Sequence, residues 1–313
     1  MKYHFLTETG FFKKTWFLGF LAWMILFFPV TILALEPGSP ILNIMGGKVF
    51  EAEIEEADPR GKVEETHSGI SVTVPLRLNT GSRLKVKFSY EQTSYDWADS
   101  GRITFSRGYE PWDKLCSADM NLSYVHNWSR SWSGLAGVSI GAAWEDQLED
   151  AYSFGGHVGA LYRTDSNVSW LIGAGVLQRP EDTLFYPIIG ATWNHGDPGE
   201  HQAGWSAALG VPKTEIRYSF NEVLDAYCNI KMDMTTYRLK EDSKASPSGL
   251  AEMTRFTSGL FLDIHPIEPL RISVGVMYLF DREWEIQDEN GDAIRTVDID
   301  GGVGAGAVLS WTF

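Results

Sequence analysis

Asp263 and His265 stand two positions apart, so in an extended strand both side chains leave the same face. A carboxylate that orients an imidazole is the acid–base half of a hydrolase. The chain places no serine beside them, and His265 precedes Pro266 at a strand end, so a hydrogen-bonded structural histidine is the expectation. Asp288-Glu-Asn-Gly-Asp292 is rich in oxygen ligands but lacks the spacing and terminal Glu of an EF-hand. Its Asn290-Gly291 is a hairpin-turn signal instead. Cys116 and Cys228 form no CxxC pattern and no Cys/His cluster, so no zinc site is expected. Both fall on the apolar parity of their segments, which reads as two free, lipid-facing thiols. No cofactor or metal follows from these residues.

A larger set of ionisable residues alternates with apolar ones. Lys85, Lys87 and Glu91 oppose Leu84, Val86, Phe88 and Tyr90. Glu215 and Arg217 oppose Ile216, Tyr218 and Phe220; Lys231, Asp233, Asp263, His265 and Arg271 obey the same rule. A charged side chain facing lipid costs about 2–4 kcal/mol near the bilayer midplane, so these ten residues are expected to face inward. They form either an ion-selective lumen or a network of salt bridges between neighbouring strands. Mixed signs on adjacent strands favour the network.

The elements that position them are amphipathic strands. The last twelve residues, Gly302 to Phe313, put Val303, Ala305, Ala307, Leu309, Trp311 and Phe313 on one face. Small or polar residues occupy the other, the period-two signature of a strand. Similar segments recur near 47–57, 68–78, 83–94, 115–127, 133–144, 153–163, 167–177, 184–194, 203–210, 213–220, 225–238, 253–265 and 269–284. The fold expected is all-β: a transmembrane antiparallel up-and-down barrel of about fourteen strands. Twelve is the alternative, with the first hairpin outside. Strands 203–210 and 213–220 are short for a span of about 9–11 residues, and Val211-Pro212 makes a tight turn between them.

The composition agrees: 13% aromatic, 31 Gly and 12 Trp, as strands with aromatic girdles require. Tryptophans near strand ends, including Trp112, Trp144, Trp284 and Trp311, read as interface anchors. Lys13 and Lys14 precede the apolar run Thr15 to Leu35, an export-signal pattern. Residues 1–34 are therefore assigned to a signal peptide, 35–46 to a periplasmic segment and 47–313 to the barrel. The net charge is −15. Removing Lys2, Lys13, Lys14 and Glu8 takes away a net +2 and leaves −17, which excludes nucleic acid as a partner. With Phe313 on the periplasmic side, the external segments are 58–67, 95–114, 145–152, 178–183, 239–252 and 285–301.

A chain ending on Trp311 and Phe313 resembles bacterial outer-membrane barrels, whose last strand is read by the insertion machinery. The half from Gly204 onward resembles an uncharacterised family of Gram-negative outer-membrane barrels, a domain of unknown function. The residues that carry this are Gly204-Trp205, Gly210-Val-Pro212, Glu215-Ile-Arg217-Tyr218-Ser-Phe220, Thr235-Thr-Tyr-Arg-Leu239 and Gly275 to Arg282. The resemblance implies a barrel in the outer membrane and no particular activity. Tyr95-Asp96-Trp97-Ala98-Asp99-Ser100 is similar to a catalytic stretch of omptin proteases, but the second aspartate of that motif is Ser94 here. Tyr90-Glu-Gln92-Thr-Ser94 and His201-Gln202 resemble outer-membrane phospholipase, but Ala203 stands where that enzyme has its serine. Function is therefore expected to be that of a small passive channel or structural envelope barrel. The alternative is a surface hydrolase using Asp96, Asp99 and His201. Partners expected are membrane lipid, the insertion machinery, and small solutes or divalent cations.

Overall fold

The computed structural model describes residues 36–54, 61–98, 110–146, 148, 150–164, 167–194 and 203–313. The expected signal peptide, Asp99 and His201 lie outside them. Sixteen strands run in chain order: β1 Glu36–Pro37, β2 Ile41–Glu53, β3 Lys62–Asn79, β4 Ser82–Ala98, β5 Lys114–Asn127, β6 Trp132–Trp144, β7 Tyr152–Arg163, β8 Val168–Gln178, β9 Thr183–Asn194, β10 Gly204–Gly210, β11 Lys213–Ser219, β12 Leu224–Arg238, β13 Leu250–Ile267, β14 Leu270–Gln287, β15 Ala293–Ile299 and β16 Gly302–Thr312. Each of β2 to β14 pairs antiparallel with the next, β14 pairs β16, and β16 pairs β2. The result is a closed fourteen-stranded barrel. Closure satisfies the backbone groups that lipid leaves without partners.

The barrel begins at Ile41, six residues earlier than the 47 expected. Ile41 to Val49 pair with β16 on one side and β3 on the other, so the first hairpin belongs to the wall and the twelve-strand alternative falls. Asn43 donates to Ser71 Oγ at 3.1 Å across that pair.

Paired residues share a face, so the inside can be traced around the ring. Asp263 pairs Ser273, Ser273 pairs Val308, then Met45, Gly69, Glu91, Ser117 and Ala143 follow in turn. The opposite face carries exposed Ile44, Val138, Val158, Ile172, Phe185, Ile189, Leu260, Val276 and Val303, an apolar belt around the outside. Exposed Trp128, Trp132, Trp170, Trp193 and Trp205 gather near the end where Phe313 lies. The Trp132 and Tyr162 rings meet at 4.8 Å and those of Trp205 and Tyr218 at 4.9 Å, both tilted, as in an interfacial girdle.

At the other end the rim is uneven. Strands β2 to β5 and β12 to β14 run long, whereas β10 and β11 have seven residues each. Arg238 at the tip of β12 crosses the mouth and bridges to Trp144 of β6. Glu145 N donates to Arg238 O at 2.9 Å, and Lys240 pairs with Glu145 at 3.2 Å. The mouth is thereby pinched, and the tall strands close over the lumen as a dome. The short β10–β11 hairpin, with its cis Val211–Pro212 peptide, lies beside this dome.

Three expectations need correction here. The segments 62–67, 95–98 and 293–299 are strand, because the tall walls continue past the membrane span. β15 forms through the turn at Asn290-Gly291, where Gly291 has φ +86° and glycine pays no steric penalty. Trp112 and Trp284 are buried in the dome, and Trp144 is buried in a separate cluster with Ala118, Ala142 and Ala151, so none of the three stands exposed at an interface. Cys116 is free but buried with Trp144 and Ala151; of the two thiols only Cys228 is exposed.

Candidate functional site

The lumen holds two charged networks under an aromatic roof. The lower network lies toward the Phe313 end. Asp225 and Asp263 are directly opposed on β12 and β13, both nearly fully buried. Like charges directly opposite destabilise a sheet. Arg217 of β11 resolves this: its guanidinium donates to Asp263 at 2.5 Å, to Asp225 at 3.3 Å and to Glu215 at 3.0 Å. It also lies 4.3 Å from the centre of the Tyr227 ring. His265 Nε2 is 3.3 Å from Asp225, and Arg271 is 3.9 Å from Asp263. Asp225, Asp263 and His265 bring donor atoms within 4.8 Å of one another, the spacing of a metal group. The guanidinium already supplies the cation there, so the group serves as an ion-pair junction of four strands.

The upper network sits beneath the dome. Glu65 of β3 is 1% exposed. It pairs with Arg282 of β14 and, at 3.1 Å, with Arg255 of β13. His67 stands between Glu65 (3.0 Å) and Thr93 Oγ1 (2.9 Å). Thr93–His67–Glu65 has the connectivity of a nucleophile–base–acid relay. The threonine is buried, however, and two arginines already engage the carboxylate, so the relay is structural.

Above Glu65 the inner wall turns aromatic. Tyr95 and Trp97 of β4, Trp112 before β5, Tyr237 of β12 and Trp284 of β14 form one buried cluster with residues of β2, β3, β13 and β15. Trp284 lies 4.8 Å from Trp112 and 5.8 Å from Tyr95, ring centre to ring centre. Trp97 Nε1 donates to the Trp112 carbonyl at 2.7 Å. Two bulges turn the relevant side chains inward. The register between β13 and β14 gains one residue near Asp281, which has φ 50°, and β2 gains one between Val49 and Ala52. Each extra residue flips the parity that follows, so Arg282, Trp284 and Ile286, and Ala52 and Ile54, point into the dome.

Between roof and lower network, Lys85, Lys87, Glu91 and Asp119 face the inside and are exposed, so water reaches them. Lys231 and Asp233 pair at 2.9 Å on the same face. By register Lys85, Lys87, Glu91, Glu215, Arg217, Lys231, Asp233, Asp263 and Arg271 share the traced face, and His265 reaches Asp225 from the end of β13. Charge is unevenly spread around the wall. Strands β6 to β10 contain His157 and Arg163 and no lysine, aspartate or glutamate. Arg255, Arg282, Glu65 and Asp225 did not stand out in the sequence. Simple parity marks Glu65, Asp225 and Arg255, whereas Arg282 needs the bulge.

Of the hydrolase candidates, only Asp96 lies among the described residues. Asp96 pairs in register with Glu64 on the outward face and is exposed, and no described histidine accompanies it. Trp311 is half-buried and Phe313 is 70% exposed, its amide held by the Pro40 carbonyl at 2.9 Å.

Comparison with known proteins adds the following. A comparison with curated proteins finds no match. Among solved structures, an outer membrane channel from Pseudomonas putida F1 superposes with a TM-score of 0.47 at 6% identity, covering 88% of this chain and 96% of that one. The Pseudomonas putida toluene transporter TodX gives 0.39 at 10% identity, covering 91% and 92%. LpxR from Salmonella typhimurium gives 0.36 at 8% identity, covering 87% and 100%. The fold itself rests on the register described above. A family model matches residues 49–297, nearly the whole barrel, and by that match the chain belongs to the domain of unknown function family DUF6268.

Proposed function

We propose that this protein is an integral outer-membrane barrel that acts as a small channel, with a charged, water-filled lumen shut at one end by the aromatic dome. The observation that carries this is the set Lys85, Lys87, Glu91 and Asp119, charged and exposed on the inner wall. A purely structural barrel would pair such residues or replace them. Lipid around the belt, the insertion machinery at Trp311 and Phe313, and small solutes in the lumen are the partners this reading implies. The orientation places Phe313 on the periplasmic side and the dome outside.

Single-channel recording in a planar bilayer tests it, with a heat-shift gel as the folding control. The wild type should show low conductance with rare openings. Trp284→Ala removes the central ring of the dome and should raise both conductance and open time. A folded Trp284→Ala barrel that passes no current would overturn the channel reading and leave a structural barrel.

A further inference from the structure

The barrel is closed below the pinch, but among the described residues the ladder between β11 and β12 stops short of it. β12 pairs with β11 only from Asp225 to Lys231, and Met232 N then donates to Pro212 O. From Asp233 to Tyr237 no described strand covers that edge of β12, although the other edge is paired with β13 throughout. The uncovered edge borders the gap left by the short β8–β11 rim.

The tip of the β8–β9 hairpin spans this gap with long side chains. Arg179 pairs with Glu252 of β13 at 2.7 Å and reaches Thr236 of β12 at 3.5 Å. It also holds Asp182 of its own turn at 2.5 Å. Arg238 and Glu181 add a looser contact at 3.9 Å. The hairpin is thus latched to the outward face of β12 and β13 by ion pairs.

The inner wall that leads to this gap is apolar. Leu161, Leu171, Leu177, Leu184, Tyr186 and Ile188 share the lumen face of β7 to β9 by register, and all are only half-buried. A water-filled barrel normally presents polar residues inside. Tyr186 packs against Gly175, where a Cβ would stand 2.2 Å from the ring.

We propose that the seam between β12 and the β8–β11 rim, closed by the β8–β9 hairpin, is a side exit of the lumen for small apolar solutes, which reach it along the inner wall of β7 to β9. The occupant is small because it lies inside a barrel. It is apolar because the only lysine, arginine, aspartate or glutamate on the lumen face of β7 to β9 is Arg163, which donates to Ser133 near the Phe313 end, away from the gap. The inference rests on the channel reading and supplies its route past the dome.

Photolabelling with a phenyl-diazirine hydrocarbon tests it, using the full-length protein in lipid nanodiscs and mapping adducts by mass spectrometry. Adducts are expected on lumen-facing Leu177, Leu184 and Tyr186, besides lipid-facing Phe185 and Ile189. Arg179→Gln should raise the lumen adducts severalfold. Arg179→Cys with Glu252→Cys, clamped by a bis-maleimide in a Cys116→Ser, Cys228→Ser background, should lower them and leave the lipid-facing adducts unchanged. Absence of lumen adducts in wild type and Arg179→Gln alike would overturn the proposal. Lumen adducts insensitive to the clamp would also overturn it, since the solute would then enter from the Phe313 end. Conductance recorded on the same proteins separates these failures from failure of the channel reading.

Discussion

Replacing Glu65 by Gln removes the carboxylate that pairs with Arg282 at the base of the dome. Both side chains are almost wholly buried, at 1% and 3% exposure. Breaking a buried ion pair by removing one partner costs about 3–5 kcal/mol, because the remaining charge stays out of water. Arg255 retains Asp233 at 3.7 Å, so the cost falls mainly on Arg282. The assay is urea unfolding of the barrel in micelles, followed by tryptophan fluorescence, which Trp97, Trp112 and Trp284 make sensitive to the dome. Arg282→Met in the Glu65→Gln background removes the stranded charge. The double variant should therefore be more stable than the sum of the single effects, by about 1–3 kcal/mol. The loss should persist at high salt, since buried pairs are little screened. A single-variant loss below about 1 kcal/mol, or additivity within about 0.5 kcal/mol, would refute the reasoning.

The latch should respond to acid. The Arg179 guanidinium donates to Asp182 and holds its carboxyl below the usual range. A depressed folded value means the contribution is complete above the unfolded value of about 3.9 and is lost as pH falls through the folded one. A spin label on Pro180→Cys should therefore be equally immobile from about pH 7 to 5 and loosen in stronger acid; Asp182→Asn should be mobile at every pH. Gly175→Val should push the Tyr186 ring off the wall, cost about 1–3 kcal/mol by overpacking, and narrow the lumen, read as reduced conductance of the Trp284→Ala barrel. Arg217→Met should leave Asp225 and Asp263 facing each other, cost about 3–5 kcal/mol in urea unfolding, and be partly rescued by Asp263→Asn.

The strands were legible wherever alternation ran unbroken. Lys85, Lys87 and Glu91 share one face, as do Arg271, Ser273, Gly275 and Met277, and the register runs without a shift along each segment. Turn residues fixed most boundaries, and Asn290-Gly291 marked a hairpin even though β15 beyond it escaped notice. Legibility ended at the bulges. Trp284 has the numbering of an outward residue if parity is counted from Leu270, and a single extra residue near Asp281 carries it into the dome. The roof of the site was thus hidden by local backbone geometry that residue types do not announce. The short β10 and β11 stood out as a misfit, and the reason lay elsewhere: β12 abandons them to bridge β6, a contact between segments about ninety residues apart.

What the sequence determined by itself was the architecture: period-two amphipathicity, turn chemistry and strand number define a barrel, because lipid admits no open sheet edge. It also determined which face a charge takes wherever no bulge intervenes, since unbroken alternation decides the face. What only the tertiary structure decided was whether the lumen is open. That depends on which side chains meet across the barrel, on two bulges that reverse parity, and on one strand crossing the mouth. These are long-range contacts, and a local pattern carries no information about them.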